Sequence, residues 1–168
     1  MRLRHAPAGG RELEGSFERF EALYRSSRDD VYAYVITLLG DRASAEDVTA
    51  LAFERAYARR HSFDRRRGDE RAWLFGIARN AALDELRRRR RSATLLVEPA
   101  NLPEAPQRSA DDDELELRRA AVRAALTALA PRERELIALK FHAGLTNGEL
   151  ASVLGVSESN AGTMLHRA

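Results

Sequence analysis

Positive charge stacked at the end of an apolar segment is the first chemistry this chain offers. "AWLFGIARNAALDELRRRRR", Ala72 to Arg91, closes on five consecutive arginines. Read as a helix, it sets Asn80, Asp84, Arg87, Arg88 and Arg91 along one face. Guanidinium groups neutralise phosphates, while amides and carboxylates hydrogen-bond base edges, so this face has the chemistry of nucleic-acid contact. The loop before it, "HSFDRRRGD" (His61 to Asp69), adds Phe63 beside Arg65, Arg66 and Arg67. Basic loops interleaved with aromatics suit unstacked single-stranded bases. Trp73 reads either as core or as a stacking platform, and an arginine run reads also as a solvated face.

A second constellation closes the chain: "LTNGELASVLGVSESNAGTMLHRA", Leu145 to Ala168. Thr146 and Glu149 have capping-box spacing, and Leu150, Ala151 and Leu154 give a short helix its buried side. Gly155 permits the left-handed backbone of a tight turn. Val156 fits the angle between two helices, Ser157 caps the second, and Leu165 returns to the core. The order spells helix-turn-helix, with an ordinary helical hairpin as the other reading. Such a motif sets the start of its second helix against base edges in the major groove. Glu158, Ser159, Asn160 and Thr163 are then the readers, and Arg167 is available to phosphate.

Other chemistries find no support. The four histidines (His5, His61, His142 and His166) are scattered, and no nucleophile–base or metal-ligand spacing accompanies them. No catalytic residue, metal or cofactor is therefore expected. The chain has 0 cysteines, which excludes disulfides and thiolate metal sites. No apolar run approaches the roughly 18 residues that span a bilayer, so no membrane insertion is expected. With no apolar leader at the start, the cytoplasm is the default compartment.

The elements that position these groups are helical. Phe17, Phe20, Leu23 and Tyr24 begin a stripe that "SSRDD" interrupts before Val31, Tyr34, Val35 and Leu38. Gly40 stops that pattern, and "SAED" places Ser44 three residues before Asp47 as the start of the next helix. The helix from about Glu70 turns Leu74, Ile77, Ala78 and Ala81 inward. Pattern dissolves from Ser92 to Asp113, where Pro99, Pro103, Pro106 and "DDDE" mark a linker. Helix returns near Glu114, and Pro131 opens another whose stripe includes Leu136, Ile137 and Lys140. Charge follows this division: residues 1–91 carry a net +5, residues 92–117 carry −6 and residues 118–168 carry +3, within a total of +2. Two basic blocks flank an acidic connector.

Taken in order, "FEALYRSSRDDVYAYV", "GDRASAEDVTALAFERAY", "AWLFGIARNAALDELRRRRR" and "LTALAPRERELIALKFHAGLTNGELASVLGVSESNAGTMLHRA" resemble bacterial sigma factors of the extracytoplasmic-function (ECF) group. The resemblance implies an all-α fold, with two helical domains joined by a flexible acidic linker. Residues 1–15 would be a disordered tail, 16–91 a sigma-2-like domain, 92–114 the linker and 115–168 a sigma-4-like helix-turn-helix domain. It implies binding to core RNA polymerase through Asp41, Glu46, Asp47 and Phe53, although Glu46 and Asp47 also read as helix-start charges. It implies capture of a flipped minus-ten base by the loop Phe63, Arg65, Arg66 and Arg67. The adjacent helix would contact promoter DNA through Asn80, Asp84, Arg87 and Arg88. Thr146, Glu158, Ser159, Asn160, Thr163 and Arg167 would read the minus-thirty-five element. An anti-sigma factor is a further implied partner. Ala161 and Met164 stand where the family often has β-branched and basic residues, and Gly162 weakens the last helix by about 1 kcal/mol relative to alanine. A stand-alone helix-turn-helix regulator, with an N-terminal sensing or dimerisation bundle, is the alternative the residues leave open.

Overall fold

The computed structural model describes residues 9–95 and 110–167; residues 1–8 and the proline-bearing stretch 96–109 lie outside the described residues. Seven α-helices occupy most of what is described: α1 (Gly9–Leu39), α2 (Arg42–Arg59), α3 (Glu70–Leu95), α4 (Ala110–Ala128), α5 (Pro131–Phe141), α6 (Asn147–Leu154) and α7 (Glu158–Arg167). The first three form one bundle and the last three another. Both contribute to one continuous set of buried side chains.

Helix α1 runs unbroken through "SSRDD", where sequence predicted an interruption. Serine and aspartate weaken helices by competing for backbone groups, but here those side chains have other partners. Ser27 is fully buried, and its Oγ accepts from Arg71 Nη1 at 3.2 Å; Asp30 Oδ2 accepts from Arg71 Nη2 at 2.5 Å. Tertiary pairing overrides local propensity. The first turns of α1, from Gly9, also fall within the stretch expected to be unstructured, where "RELE" supplies good helix formers.

Helix α2 begins earlier than the Ser44 signal suggested. Asp41 is the cap: its carboxylate accepts from the Ser44 N–H at 2.9 Å, while Ser44 itself sits in the first turn. Alanines then let the helices approach closely. Ala45, Ala52 and Ala56 of α2 are buried with Ala78, Ala81 and Ala82 of α3, and Val31, Tyr34, Leu74 and Phe75 fill the space between α1 and α3. Tyr34 and Phe75 meet edge-on, with ring centroids 5.6 Å apart.

The C-terminal bundle follows its capping signals. Pro131 stands in the first turn of α5, and Gly144 (φ 65°) turns the chain toward α6. Leu136, Leu139, Leu145, Leu150, Leu154 and Ala161 form its interior. Helix α4 is largely exposed, Leu117 and Val122 included. Its last carbonyls are collected by Arg134, which donates to Leu126 O and Thr127 O at 2.7 Å each.

The bundles meet where α5 lies against α1 and α6 against α3. Among the described residues, Arg79, Arg71 and Thr37 carry hydrogen bonds across this seam. Arg79 Nε of α3 donates to Glu135 Oε1 of α5 at 2.6 Å, with both side chains largely out of solvent. The hydroxyl of buried Tyr34 faces the same carboxylate without a well-formed hydrogen bond, and desolvation together with that negative charge pushes its pKa well up. Arg71 Nε and Nη2 donate to the Ala143 and His142 carbonyls at 2.7 and 3.0 Å, which places a cation at the C-terminal end of α5. Thr37 Oγ1 lies 3.4 Å from His142 Nε2.

Two predictions arise from this seam. Arg71→Ala removes the donor shared by Ser27, Asp30 and the end of α5, and should lower unfolding stability by about 2 kcal/mol. Arg25→Ala, which loses only an exposed pair with Glu21, should change it by less than about 0.5 kcal/mol in the same urea titrations. Burial holds His142 below its ordinary value of 6.5, against the opposing charge of nearby Asp30. Below that pH the unfolded chain takes up a proton that the folded chain resists, so stability falls as pH drops through and below 6.5. A His142→Gln variant should lack this component when unfolding is compared across that window.

Candidate nucleic-acid interface

The loop between α2 and α3 is built by side chains capping their own backbone. Two short 3-10 turns, Arg60–Ser62 and Arg65–Arg67, flank Phe63 and Asp64. Asp64 Oδ1 accepts from the Arg66 N–H at 2.9 Å, and Asp69 Oδ1 accepts from the Arg71 N–H at 2.8 Å. Gly68, at φ 146°, supplies a backbone conformation closed to side-chain-bearing residues. These turns set Phe63 against Trp73, ring centroids 5.4 Å apart, with both rings half-buried. Trp73 is thus neither wholly core nor wholly platform: it backs Phe63 and still lines a cleft. Arg65 and Arg66 are exposed, and of Arg67 only the backbone is described.

That cleft has a volume of about 620 Å³. Phe63, Asp64, Trp73 and Asn80 line it from the first bundle, and Glu149 and Ser152 of α6 line it from the second. An aromatic pair, an amide and a carboxylate around a void of this size provide stacking and hydrogen-bonding for a planar heterocycle.

The arginine run divides by position. Arg87 donates to Asp84 at 3.1 Å, and Arg55 reaches the same carboxylate at 3.4 Å. Arg88 makes two bonds to Glu85 at 2.7 and 2.8 Å. Arg89 turns inward: it bonds Glu85 at 2.9 Å, the Leu39 carbonyl at 3.0 Å, and Asp41. Hydrogen bonds from Arg88, against the cost of burial, hold the Glu85 carboxyl below the usual range. Burial pushes the Asp41 carboxyl up, but bonds from Ser44 and Arg89 outweigh it and the net direction is down. Asn80, Asp84, Arg87, Arg88 and Arg91 are all exposed on α3, so the face expected from spacing is present. The spacing argument left out Arg89 and Arg90, and Arg89 has a structural role. It ties α3 to the α1–α2 corner.

The residues expected to face polymerase fall into two kinds. Glu46 and Asp47 are exposed on α2, Glu46 paired with Arg42 at 2.9 Å. Asp41 is occupied as a cap and as the partner of Arg89. Phe53, expected at the surface, is buried, with its ring 4.8 Å from that of Tyr24 and 6.4 Å from that of Phe20. Its consequence at the surface is indirect: it seats Tyr24, which is partly exposed.

In the C-terminal motif Thr146 is a working cap. Its Oγ1 accepts from the Glu149 N–H at 3.3 Å, and Glu149 Oε2 accepts from the Thr146 N–H at 2.7 Å. Gly155 sits at φ 67°, ψ 37°, and Ser157 Oγ accepts from the Asn160 N–H at 3.3 Å. Glu158, Ser159, Asn160, Thr163 and Arg167 are all exposed on α7. Ala161, which stands where the resemblance often has a β-branched residue, is fully buried. A Cβ at Gly162 would come 3.7 Å from Asn147 Nδ2. Among the described residues no group of His, Cys, Asp or Glu could hold a metal, and no helix is long and apolar enough to cross a membrane.

Comparison with known proteins bears on both bundles. The Sigma-70 region 2 family matches residues 23–92, and the Sigma-70 region 4 family matches residues 119–168. The N-terminal bundle therefore has a sigma-factor counterpart, which leaves the stand-alone regulator unsupported. The chain is 34% identical over 159 residues to ECF RNA polymerase sigma factor BldN of Streptomyces coelicolor, covering 94% of this chain and 60% of that one. It is 31% identical over 148 residues to ECF RNA polymerase sigma factor SigL of Mycobacterium tuberculosis, covering 88% of this chain and 82% of that one. Among solved structures, it resembles the sigma factor RpoE of Bartonella quintana, crystallised with the anti-sigma factor NepR. The TM-score is 0.68 at 23% identity, over 89% of this chain and 91% of that one. It also resembles CnrH, solved with the cytosolic domain of CnrY, with a TM-score of 0.66 at 24% identity over 95% and 88%. Both regions in this order, on an all-α framework and with relatives spanning nearly the whole chain, place it in the family of ECF RNA polymerase sigma factors.

Proposed function

We propose that this chain is a specificity subunit: it binds core RNA polymerase in the cytoplasm and directs it to promoters, with promoter DNA read at two places. The observation that carries this reading is a convergence on one side of α3. The Phe63–Trp73 pair and Asn80 line one cleft, and from Asn80 the exposed face of Asp84, Arg87, Arg88 and Arg91 continues along α3, while the α7 readers stand exposed on a separate bundle.

The division of labour follows from the groups. Phe63 stacks on an extruded minus-ten base, and Asp64 and Asn80 hydrogen-bond its edge, which offsets the few kcal/mol of unpairing. Arg65, Arg66, Arg67, Arg87 and Arg88 neutralise the adjoining phosphates. The Arg87–Asp84 pair is exposed and the Arg88 guanidinium faces solvent, so a phosphate can take the place of the carboxylate for each arginine. Glu158, Ser159, Asn160 and Thr163 meet the minus-thirty-five bases in the major groove, and Arg167 meets backbone. Thr146 contributes by fixing the start of α6. Glu46 and Asp47 face the polymerase, with Asp41 and Phe53 holding the helix that presents them. Polymerase performs the chemistry, and the chain itself is not an enzyme. An anti-sigma factor, of the kind that RpoE is crystallised with, is the proposed inhibitor.

Run-off transcription with purified core polymerase and a promoter library tests the reading directly, since initiation should require the chain. Duplex binding by the chain alone, with no effect on polymerase, would overturn it. Within that assay, replacing Arg87 and Arg88 with alanine should lower promoter opening. It should also flatten the log–log salt dependence by about one unit for each phosphate that is no longer neutralised. An unchanged slope would remove the two arginines from the phosphate-binding set.

A further inference from the structure

Glu85 of α3 is held by two arginines that are not equivalent. Arg88 takes both carboxylate oxygens, its Nε donating to Oε2 at 2.7 Å and its Nη2 to Oε1 at 2.8 Å. Arg89 takes one, with Nε donating to Oε1 at 2.9 Å. The Arg88 side chain is 66% exposed and that of Arg89 31%, beside a Glu85 side chain only 11% exposed. Arg89 is also tied down elsewhere. Its Nη1 donates to the Leu39 carbonyl at 3.0 Å, where α1 ends, and its Nη2 pairs with Asp41, where α2 begins. One cation can swing into solvent; the other is fastened to a corner of the bundle.

This asymmetry matters once DNA arrives. A phosphate that draws Arg88 away must come close to Glu85, and neighbouring anions at a protein surface repel each other. A carboxylate with little access to water also resists the loss of its cation. With Glu85 as its one neighbour, Arg88 would be a poor phosphate ligand, because the carboxylate would hold it back. A second guanidinium that does not leave removes both penalties. Its fork of donors can serve Glu85, Asp41 and a carbonyl together.

On the reading above of Arg88 as a phosphate contact, we infer that Arg89 is a positioning residue for promoter DNA. It stays on Glu85 when Arg88 moves to the phosphate, which keeps the carboxylate neutralised and Arg88 available. Arg89 acts through Glu85 and Arg88, without itself touching nucleic acid.

The full-length chain, reconstituted with core polymerase, tests this on a fluorescein-labelled promoter fragment taken from the run-off library. The readout is the log–log dependence of promoter affinity on salt. Arg88→Ala sets the reference and should lower the slope by about one unit. Arg89→Gln should lower it by a similar amount although Arg88 is present, because Glu85 then retains Arg88. Adding Glu85→Gln to Arg89→Gln should restore the wild-type slope, since no carboxylate competes for Arg88. A merely loosened corner would not be repaired that way, because the bonds to Leu39 and Asp41 stay lost. Arg89→Lys keeps a charge beside Glu85 without the fork, so it should unfold at lower urea yet hold the wild-type slope. That variant carries the measurement if Arg89→Gln does not fold. An unchanged slope in Arg89→Gln, a double variant that stays low, or a fallen slope in Arg89→Lys would overturn the inference alone. No effect of Arg88→Ala would instead sink the phosphate reading of Arg88, and the inference with it.

Discussion

The arrangement of the molecule depends on one buried charge pair. Glu135 lies in the apolar stripe of α5, beside Leu136 and Leu139, and is almost fully removed from water. An unpaired carboxylate there would be untenable, so α5 must deliver it to a cation. Arg79 of α3 supplies that cation, and Arg71, about two helical turns earlier on the same face of α3, gathers the carbonyls at the end of α5. The two arginines fix both the position and the direction of α5 across the first bundle. The placement of α6 over the cleft follows from theirs.

Charge in this family member therefore serves three separate purposes within one helix. Arg71 and Arg79 build the seam between bundles. Arg89 locks α3 to the corner where α1 ends and α2 begins, through the Leu39 carbonyl and the Asp41 cap. Arg87 and Arg88 remain on the surface, paired with Asp84 and Glu85. Rigid placement of the first group gives the last its direction: the arginines proposed to meet a phosphate backbone stand on a helix whose rotation is fixed by Arg71, Arg79 and Arg89.

Much of this was legible in the residues, and the exceptions share a cause. Helical periodicity located the buried faces of α3 and α6, and the Thr146–Glu149 box and Gly155 located the turn between α6 and α7, because those signals are local. The continuity of α1 through "SSRDD" was not legible, since the serine and aspartate that weaken a helix locally are bound by Arg71, far along the chain. Phe53 was placed at the surface by resemblance, but the ring cluster of Phe20, Tyr24 and Tyr57 covers that side of α2. The seam was missed for the same reason. A glutamate inside an apolar stripe was its one trace in the sequence, and periodicity alone does not say which helix supplies its partner.

The central claim is that the Arg79–Glu135 pair holds the two bundles in one arrangement, and the distance between them measures that most directly. The chain has 0 cysteines, so cysteines introduced at Ala58 of α2 and Arg132 of α5, both exposed, carry spin labels at defined sites. Pulsed electron-spin distance measurements should give one defined distance, which Glu135→Gln should broaden or lengthen. A variant distance identical to the first would contradict the account.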